Sequence, residues 1–296
     1  MEPLLLEVAI NGGRGKHPNA AVPVGTDEIV ADASACLDAG AQIVHHHTDD
    51  SILAARHGAT AYLEAWRQIR RTHPDAILYP TMGSGGSHTT IAERYAHVEE
   101  LADAGELSLA IIDPGSVNLA PLDDSGVPLP IDFVYQNTYA DVAYMSDACV
   151  RRDLAAHVSI FEPGFLATML AWRRAGRFPF AKVQLYFGGP ELCFGLPPTV
   201  KALDAYLEML EGSELPWMVG VIGGDCAATV AAEAVSRGGH VRVGLEDYFG
   251  PRRPGNLELV GEIVEMAKKL GRRLATPGEA AGMLQAQRPA QPPAGT

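Results

Sequence analysis

The first residues of this chain that point to chemistry close an apolar run, Ile43-Val44-His45-His46-His47-Thr48-Asp49-Asp50. Side chains alternate along a strand, so His45 and His47 share one face and His46 takes the other. Two neutral imidazoles on one face of a rigid element make half of a metal site, and the plain alternative is a polar strand end. A second stretch, Arg242-Val243-Gly244-Leu245-Glu246-Asp247, read as a strand, puts Arg242, Gly244 and Glu246 on one face. Charges rarely sit inside a core without a partner or a function, so this is either a structural Arg242–Glu246 pair or part of a site. If the two stretches lie close in space, His45, His47 and Glu246 supply two imidazoles and a carboxylate with an open position, a donor set that suits catalytic zinc.

Two glycine-bearing loops are weaker candidates. Asn11-Gly12-Gly13-Arg14-Gly15-Lys16 carries two cations, but its spacing is not that of a phosphate-binding loop, and such turns are commonly only turns. Asn11 and Arg14 are its candidate substrate contacts. Thr81-Met82-Gly83-Ser84-Gly85-Gly86-Ser87 would let backbone N–H groups approach a ligand, with Thr81, Gly83 and Ser84 as candidate contacts, or it is a flexible loop without function.

The elements that must position these residues recur along the chain. Ala35 to Gly40, Leu101 to Gly105 and Ala234 to Gly239 each read as a helix end stopped by glycine and followed by a short apolar strand. Thr90-Ile91-Ala92-Glu93 and Thr276-Pro277-Gly278-Glu279 read as capping boxes at helix starts. Expected strands are 4–10, 43–47, 76–80, 108–112, 158–161, 183–187, 217–222 and 241–246. Helical patterns lie between most of them. Near-continuous apolar strands alternating with amphipathic helices predict a parallel sheet covered by helices. Eight such units predict a single-domain α/β fold, a (β/α)₈ TIM barrel over residues 1–286. Residues 121–150 fit least well and are expected to form a long βα loop, and 287–296 a disordered tail. In such a barrel, strands two and eight are separated only by strand one.

Composition narrows the partners. The formal charge of −13 argues against nucleic acid or an anionic membrane. No apolar run reaches transmembrane length, and the N-terminus lacks a signal-peptide pattern, so a cytoplasmic protein is expected. Cys36, Cys149, Cys193 and Cys226 show no CxxC spacing and are expected to be isolated buried thiols.

Asn11-Gly12-Gly13, His45-x-His47, Gln184, Phe194-Gly195-Leu196-Pro197-Pro198 and the block from Gly238 to Asp247 together resemble the β-keto acid cleavage enzyme family, whose founding activity is 3-keto-5-aminohexanoate cleavage. The resemblance implies a divalent metal, usually zinc, on His45, His47 and Glu246. It implies an acyl exchange in which a β-keto acid and acetyl-CoA give acetoacetate and a new acyl-CoA. It also implies Asp247 as general base, Arg242 as the group that steadies a thioester-derived oxyanion, Thr81 as a hydroxyl near the substrate, and a homo-oligomer, usually a tetramer. Three positions depart from the family pattern: Asp49 stands where arginine is common, Ile111 where a hydroxyl is usual, and Ser159 where an acid is expected, with Glu162 a few residues on. Two other readings compete. A divalent-metal lyase or hydrolase would use the same site without CoA, although His157 and His240 fall near strand starts, the wrong end for an amidohydrolase. A non-catalytic metabolite-binding barrel would have no need of Asp247 beside Glu246.

Overall fold

The computed structural model describes residues 2–48, 57–84 and 89–286. The chain runs β1 (Leu6–Ala9), α1 (Thr26–Asp38), β2 (Ile43–His46), α2 (Ala59–Thr72), β3 (Ile77–Pro80), α3 (Ile91–Asp103) and β4 (Ala110–Ile112). An antiparallel ribbon of β5 (Val117–Asn118) and β6 (Val134–Tyr135) precedes α4 (Tyr139–Arg151), β7 (Ala156–Ile160), α5 (Pro163–Arg174) and β8 (Ala181–Gly188). Then follow α6 (Val200–Leu210), β9 (Trp217–Ile222), α7 (Ala231–Ser236), β10 (His240–Val243), α8 (Asn256–Lys269) and α9 (Pro277–Leu284).

Eight strands form one parallel sheet in the order β3-β2-β1-β10-β9-β8-β7-β4. Its two ends meet where the Ser108 N–H donates to the Leu78 carbonyl at 3.3 Å, so the sheet is nearly closed into a TIM barrel. As expected from chain order, β2 and β10 flank β1.

Strand alternation divides the barrel by chemistry. Leu6, Val8, Val44, Leu78, Val183, Val219 and Val241 face the helices and are at most 1% exposed. α2 answers with Ala59, Tyr62, Trp66 and Ile69, spaced to share one helical face. The opposite face of the strands lines the barrel interior, where register sets Glu7 beside Arg242, His45 beside Tyr79, and His157 beside Lys182. These inward residues are polar, so the apolar core lies between sheet and helices rather than inside the barrel.

The capping boxes at Thr90 and Thr276 form as read from sequence. Three expectations need correction. The segment 121–150 is not all loop: α4 starts at Tyr139, capped by Thr138 against Asp141, a box closed by Asp instead of the usual Glu. Cys193 is exposed, whereas Cys36, Cys149 and Cys226 are buried thiols as expected. Strand β10 ends at Val243, so Glu246 and Asp247 do not continue its alternation. The expected tail, 287–296, lies outside the described residues, as does Asp49. Among the described residues no helix is long and apolar enough to cross a membrane.

The break after Val243 depends on Gly244, which sits at φ +146°, where a Cβ would lie only 2.0 Å from the Ala9 carbonyl oxygen. Any side chain there meets β1 backbone, which cannot move without disturbing the barrel. We predict that Gly244→Ala lowers unfolding free energy by at least ~2 kcal/mol, the order of the strain such conformations carry. Chemical denaturation checks this, and an unchanged midpoint would show that the turn relaxes freely.

Candidate metal and general-base site

The site is assembled at the C-terminal ends of the strands, where barrel enzymes place their reacting groups. His45 ends the inward face of β2, and His47 follows just past the strand. Asn11 fixes that exit: its side-chain oxygen accepts from the His47 N–H at 2.9 Å, and its amide donates to the His47 carbonyl at 3.3 Å. His46 points outward and accepts from the Trp66 indole at 2.9 Å, which ties β2 to α2. Burial pushes the His46 imidazole down to about 4, so it is a neutral packing group.

The turn after Gly244 carries Glu246 across the top of β1 toward these histidines. Gly12 makes room for it, since a Cβ there would lie 2.6 Å from the Glu246 Cγ. Glu246 Oε2 stands 3.3 Å from His45 Nε2, and Oε1 stands 3.5 Å from His47 Nε2. One ligand atom from each of the three residues lies within 4.8 Å of the others. Glu246 Oε2 and the Nδ1 atoms of both histidines are buried without a hydrogen-bond partner. Buried polar atoms are seldom left so, and the donor set of two imidazoles and one carboxylate fits a divalent ion. Burial pushes the Glu246 carboxyl upward, yet His45, Arg242 and His47 hold it well below its ordinary range. Burial also depresses His45, with Glu246 opposing. Both shifts favour the forms that bind metal.

Because the turn reverses direction, Asp247 faces the site beside Glu246 instead of pointing away. Arg242 grips it with two bonds, Nε to Oδ2 at 2.7 Å and Nη2 to Oδ1 at 2.9 Å. The same Nη2 lies 2.9 Å from Glu246 Oε1. Burial pushes Asp247 up to about 6, against the pull of Arg242.

Beneath this lies a cluster that strand patterning alone does not assign. Glu7 accepts from Arg242 Nη1 at 3.1 Å, from the Tyr79 hydroxyl at 2.5 Å and from Lys182 Nζ. Glu7, Lys182 and Arg242 are at most 1% exposed. Burial pulls Lys182 down to about 8, with Glu7 opposing. Tyr79 is sandwiched between the rings of His45, at 4.6 Å, and His157, at 4.5 Å, so it also fixes the plane of His45. A signal exists in the sequence: Glu7 and Lys182 interrupt apolar strands at inward positions, as Arg242 does. Gln184, on the same inward face, is fully buried with neither amide atom partnered, which makes it a further candidate for ligand contact.

The remaining sequence candidates separate. Thr81 and Ser84 are buried at the mouth after β3, with the Thr81 carbonyl accepting from His97 at 2.8 Å and the Gly83 carbonyl from Arg94 at 3.1 Å. Arg14 turns to the backbone and donates to the carbonyls of Leu245 at 2.6 Å and Tyr248 at 3.1 Å. Ile111 faces inward as an apolar residue, and the polar group near it is Asp113, buried under the Tyr135 hydroxyl. Ser159 contacts His157 at 3.2 Å, and Glu162 accepts from the Gly195 N–H at 2.9 Å, away from Asp247.

Residues 3–285 match the beta-keto acid cleavage enzyme family. The chain belongs to this family. It is 28% identical over 292 residues to the 3-keto-5-aminohexanoate cleavage enzyme of Fusobacterium nucleatum, covering 96% of this chain and 98% of that protein. It is 25% identical over 291 residues to the 3-oxoadipate:acetyl-CoA acetyltransferase of Cupriavidus necator, covering 96% and 95%. The apo structure of ObcA shares the fold at a TM-score of 0.67 and 17% identity; the aligned part spans 90% of this chain and 66% of ObcA. Family membership makes the chain an enzyme of the β-keto acid cleavage, acetyl-CoA acyltransferase type.

Lys182→Met should cost about 3–5 kcal/mol of folding stability, because it leaves Glu7 with one cation fewer in a dry core. Combining it with Glu7→Gln should restore part of that loss while loosening Arg242. Equilibrium unfolding of the parent and the two variants measures this, and a Lys182→Met protein as stable as the parent would contradict it.

Proposed function

We propose that the enzyme exchanges acyl groups between a β-keto acid and acetyl-CoA, giving acetoacetate and a new acyl-CoA, with zinc or another divalent ion held by His45, His47 and Glu246. The observation that carries this reading is Asp247, a buried carboxylate gripped by the same arginine that touches the ligand Glu246. A divalent ion there supplies positive charge where the keto oxygen becomes negative as the neighbouring carbon loses its proton.

Asp247 accepts that proton from the carbon between the carboxylate and the ketone. The carbon attacks the acetyl carbonyl of the thioester and CoA leaves as the thiolate. The thiolate adds to the original ketone, and the carbon–carbon bond to the new acetoacetate breaks. The electron pair stays on the acetoacetate carbon, which recovers its proton from Asp247, so the base ends as it began. Arg242 orients Asp247 and Glu246 through its forked donors and places a positive charge beside the oxyanions. Thr81, Gly83, Ser84 and Asn11 border the mouth from the β1 and β3 sides.

The lyase or hydrolase alternative differs in one readout. Incubating β-keto acids with and without acetyl-CoA and assaying acetoacetate separates them: product is expected only when both substrates are present, and consumption of the keto acid without acetyl-CoA would overturn the transferase reading. For the metal, we predict that the parent binds one divalent ion per chain by elemental analysis. His47→Ala should lose it, while His46→Ala should keep it and melt at lower temperature. Metal retained at full occupancy by His47→Ala would remove the assignment. For the base, Asp247→Asn should reduce turnover by about 10²–10⁴-fold with metal content unchanged. It should also stop exchange of the substrate's α-protons into heavy water. Rapid exchange by a well-folded Asp247→Asn would mean that another group takes the proton.

A further inference from the structure

We propose that the cleft between the turn after β10 and the loops after β8 and β9 binds the phosphate-bearing end of CoA through Arg14 and Arg253; this rests on the transferase reading above. The cleft encloses about 590 Å³, with Pro190, Gly224, Phe249 and Arg252 in its walls beside the two arginines. That is the size of a small-molecule site. It lies outside the last two strands of the barrel, and loops after those strands are where TIM barrels frequently seat a phosphate.

Its charge sets it apart from the rest of the molecule. The chain carries −13 overall, yet three guanidiniums line this cleft against two carboxylates, Glu191 and Asp225. Arg252 is neutralised by Glu258 at 2.9 Å and Glu262 at 2.5 Å, with Asp225 at 3.5 Å. Among the described residues neither Arg14 nor Arg253 forms an ion pair with a carboxylate. Arg253 donates only to the Arg252 carbonyl, at 2.9 Å, and is exposed. Burial disfavours the Arg14 charge, Asp247 and Glu246 oppose that, and Arg253 adds a smaller like-charge repulsion, which an anion held between the two arginines would relieve.

The cleft also connects to the reacting groups. Arg14 holds the carbonyls of Leu245 and Tyr248, which bracket Glu246 and Asp247, so one turn of chain separates the cleft from the metal ligands. Phe249 is 38% exposed at the wall, with the Arg14 guanidinium 4.1 Å from its ring centroid. An aromatic ring paired with arginine is a surface on which a purine stacks. A nucleotide lying here would extend its thioester arm around the turn toward Asp247.

The test uses ligands that differ only in phosphate. CoA and pantetheine are titrated calorimetrically into the parent, Arg253→Ala and Arg253→Glu, and turnover is measured with acetyl-CoA and with acetyl-pantetheine. Arg253→Ala should weaken CoA binding about tenfold and Arg253→Glu further. Pantetheine affinity, kcat with acetyl-pantetheine and the melting temperature should stay unchanged. CoA affinity equal in all three proteins overturns the cleft assignment and leaves the transferase reading in place. A raised KM for the β-keto acid in place of acetyl-CoA assigns the cleft to a substrate carboxylate and also overturns it. A parent protein that binds no CoA overturns the transferase reading and this inference together.

Discussion

A guanidinium without water must place all five of its N–H donors on protein atoms, and Arg242 does so. Nε and one Nη2 donor go to Asp247, the other Nη2 donor faces Glu246, and Nη1 serves both Glu7 and the Tyr79 hydroxyl. The four acceptors come from three parts of the barrel: β1, β3 and the turn after β10. Arg242 is therefore the point through which the inner surface is held in register, and Glu7 is what allows its charge to sit there. Removing one partner would leave a charge in a dry interior, which costs far more than the pair contributes. The geometry of the reacting groups is in this way a by-product of satisfying one buried cation.

The two histidines of the candidate metal site are fixed from the opposite side. His46 is bolted outward to Trp66, Asn11 clamps the backbone of His47, and Tyr79 stacks on His45 while touching Glu7 and Arg242. His45, Glu246 and Asp247 thus share a chain of contacts through Tyr79 and Arg242. A metal bound there meets donors that have little freedom left to lose, which is the condition for tight geometry without further ordering.

Much of this was legible in the sequence because it depends on period and residue type. The paired histidines, the alternation of apolar strands with amphipathic helices, and the charge at Arg242 all follow from local pattern, and His46 takes the outward face that alternation requires. The placement of Glu246 and Asp247 was not legible in the same way. Strand periodicity puts Glu246 on the correct face and Asp247 on the wrong one, since Gly244 ends the strand and turns both carboxylates toward Arg242. Glu7 and Lys182 look like interruptions of apolar runs until the register of β1, β8 and β10 brings them together. The start of α4 escaped because Asp141 closes its capping box, and Asp is a weaker sequence signal there than Glu.

The charge inventory of the interior bears on what the enzyme can bind. Among the described residues Glu7, Glu246 and Asp247 pair with the buried cations Lys182 and Arg242, so with these five ionised and the histidines neutral the cluster carries one excess negative charge. A divalent ion bound there would reverse that sign, and the pocket would then favour an anionic substrate that the cluster alone would repel. The two sides of the mouth also differ in how firmly they are tied down. On the β2 and β10 side Glu246 and Asp247 are bonded to Arg242 and His45 stacks on Tyr79, so a change there disturbs the barrel itself. On the β4 and β7 side, the side chains of Asp113 and Ser159 meet each other, Tyr135 from the ribbon and His157 from the strand, beside the apolar Ile111. Ile111 and Ser159 lie on this side, while His45, Glu246 and Asp247 lie on the side where the contacts run into the buried ion pairs.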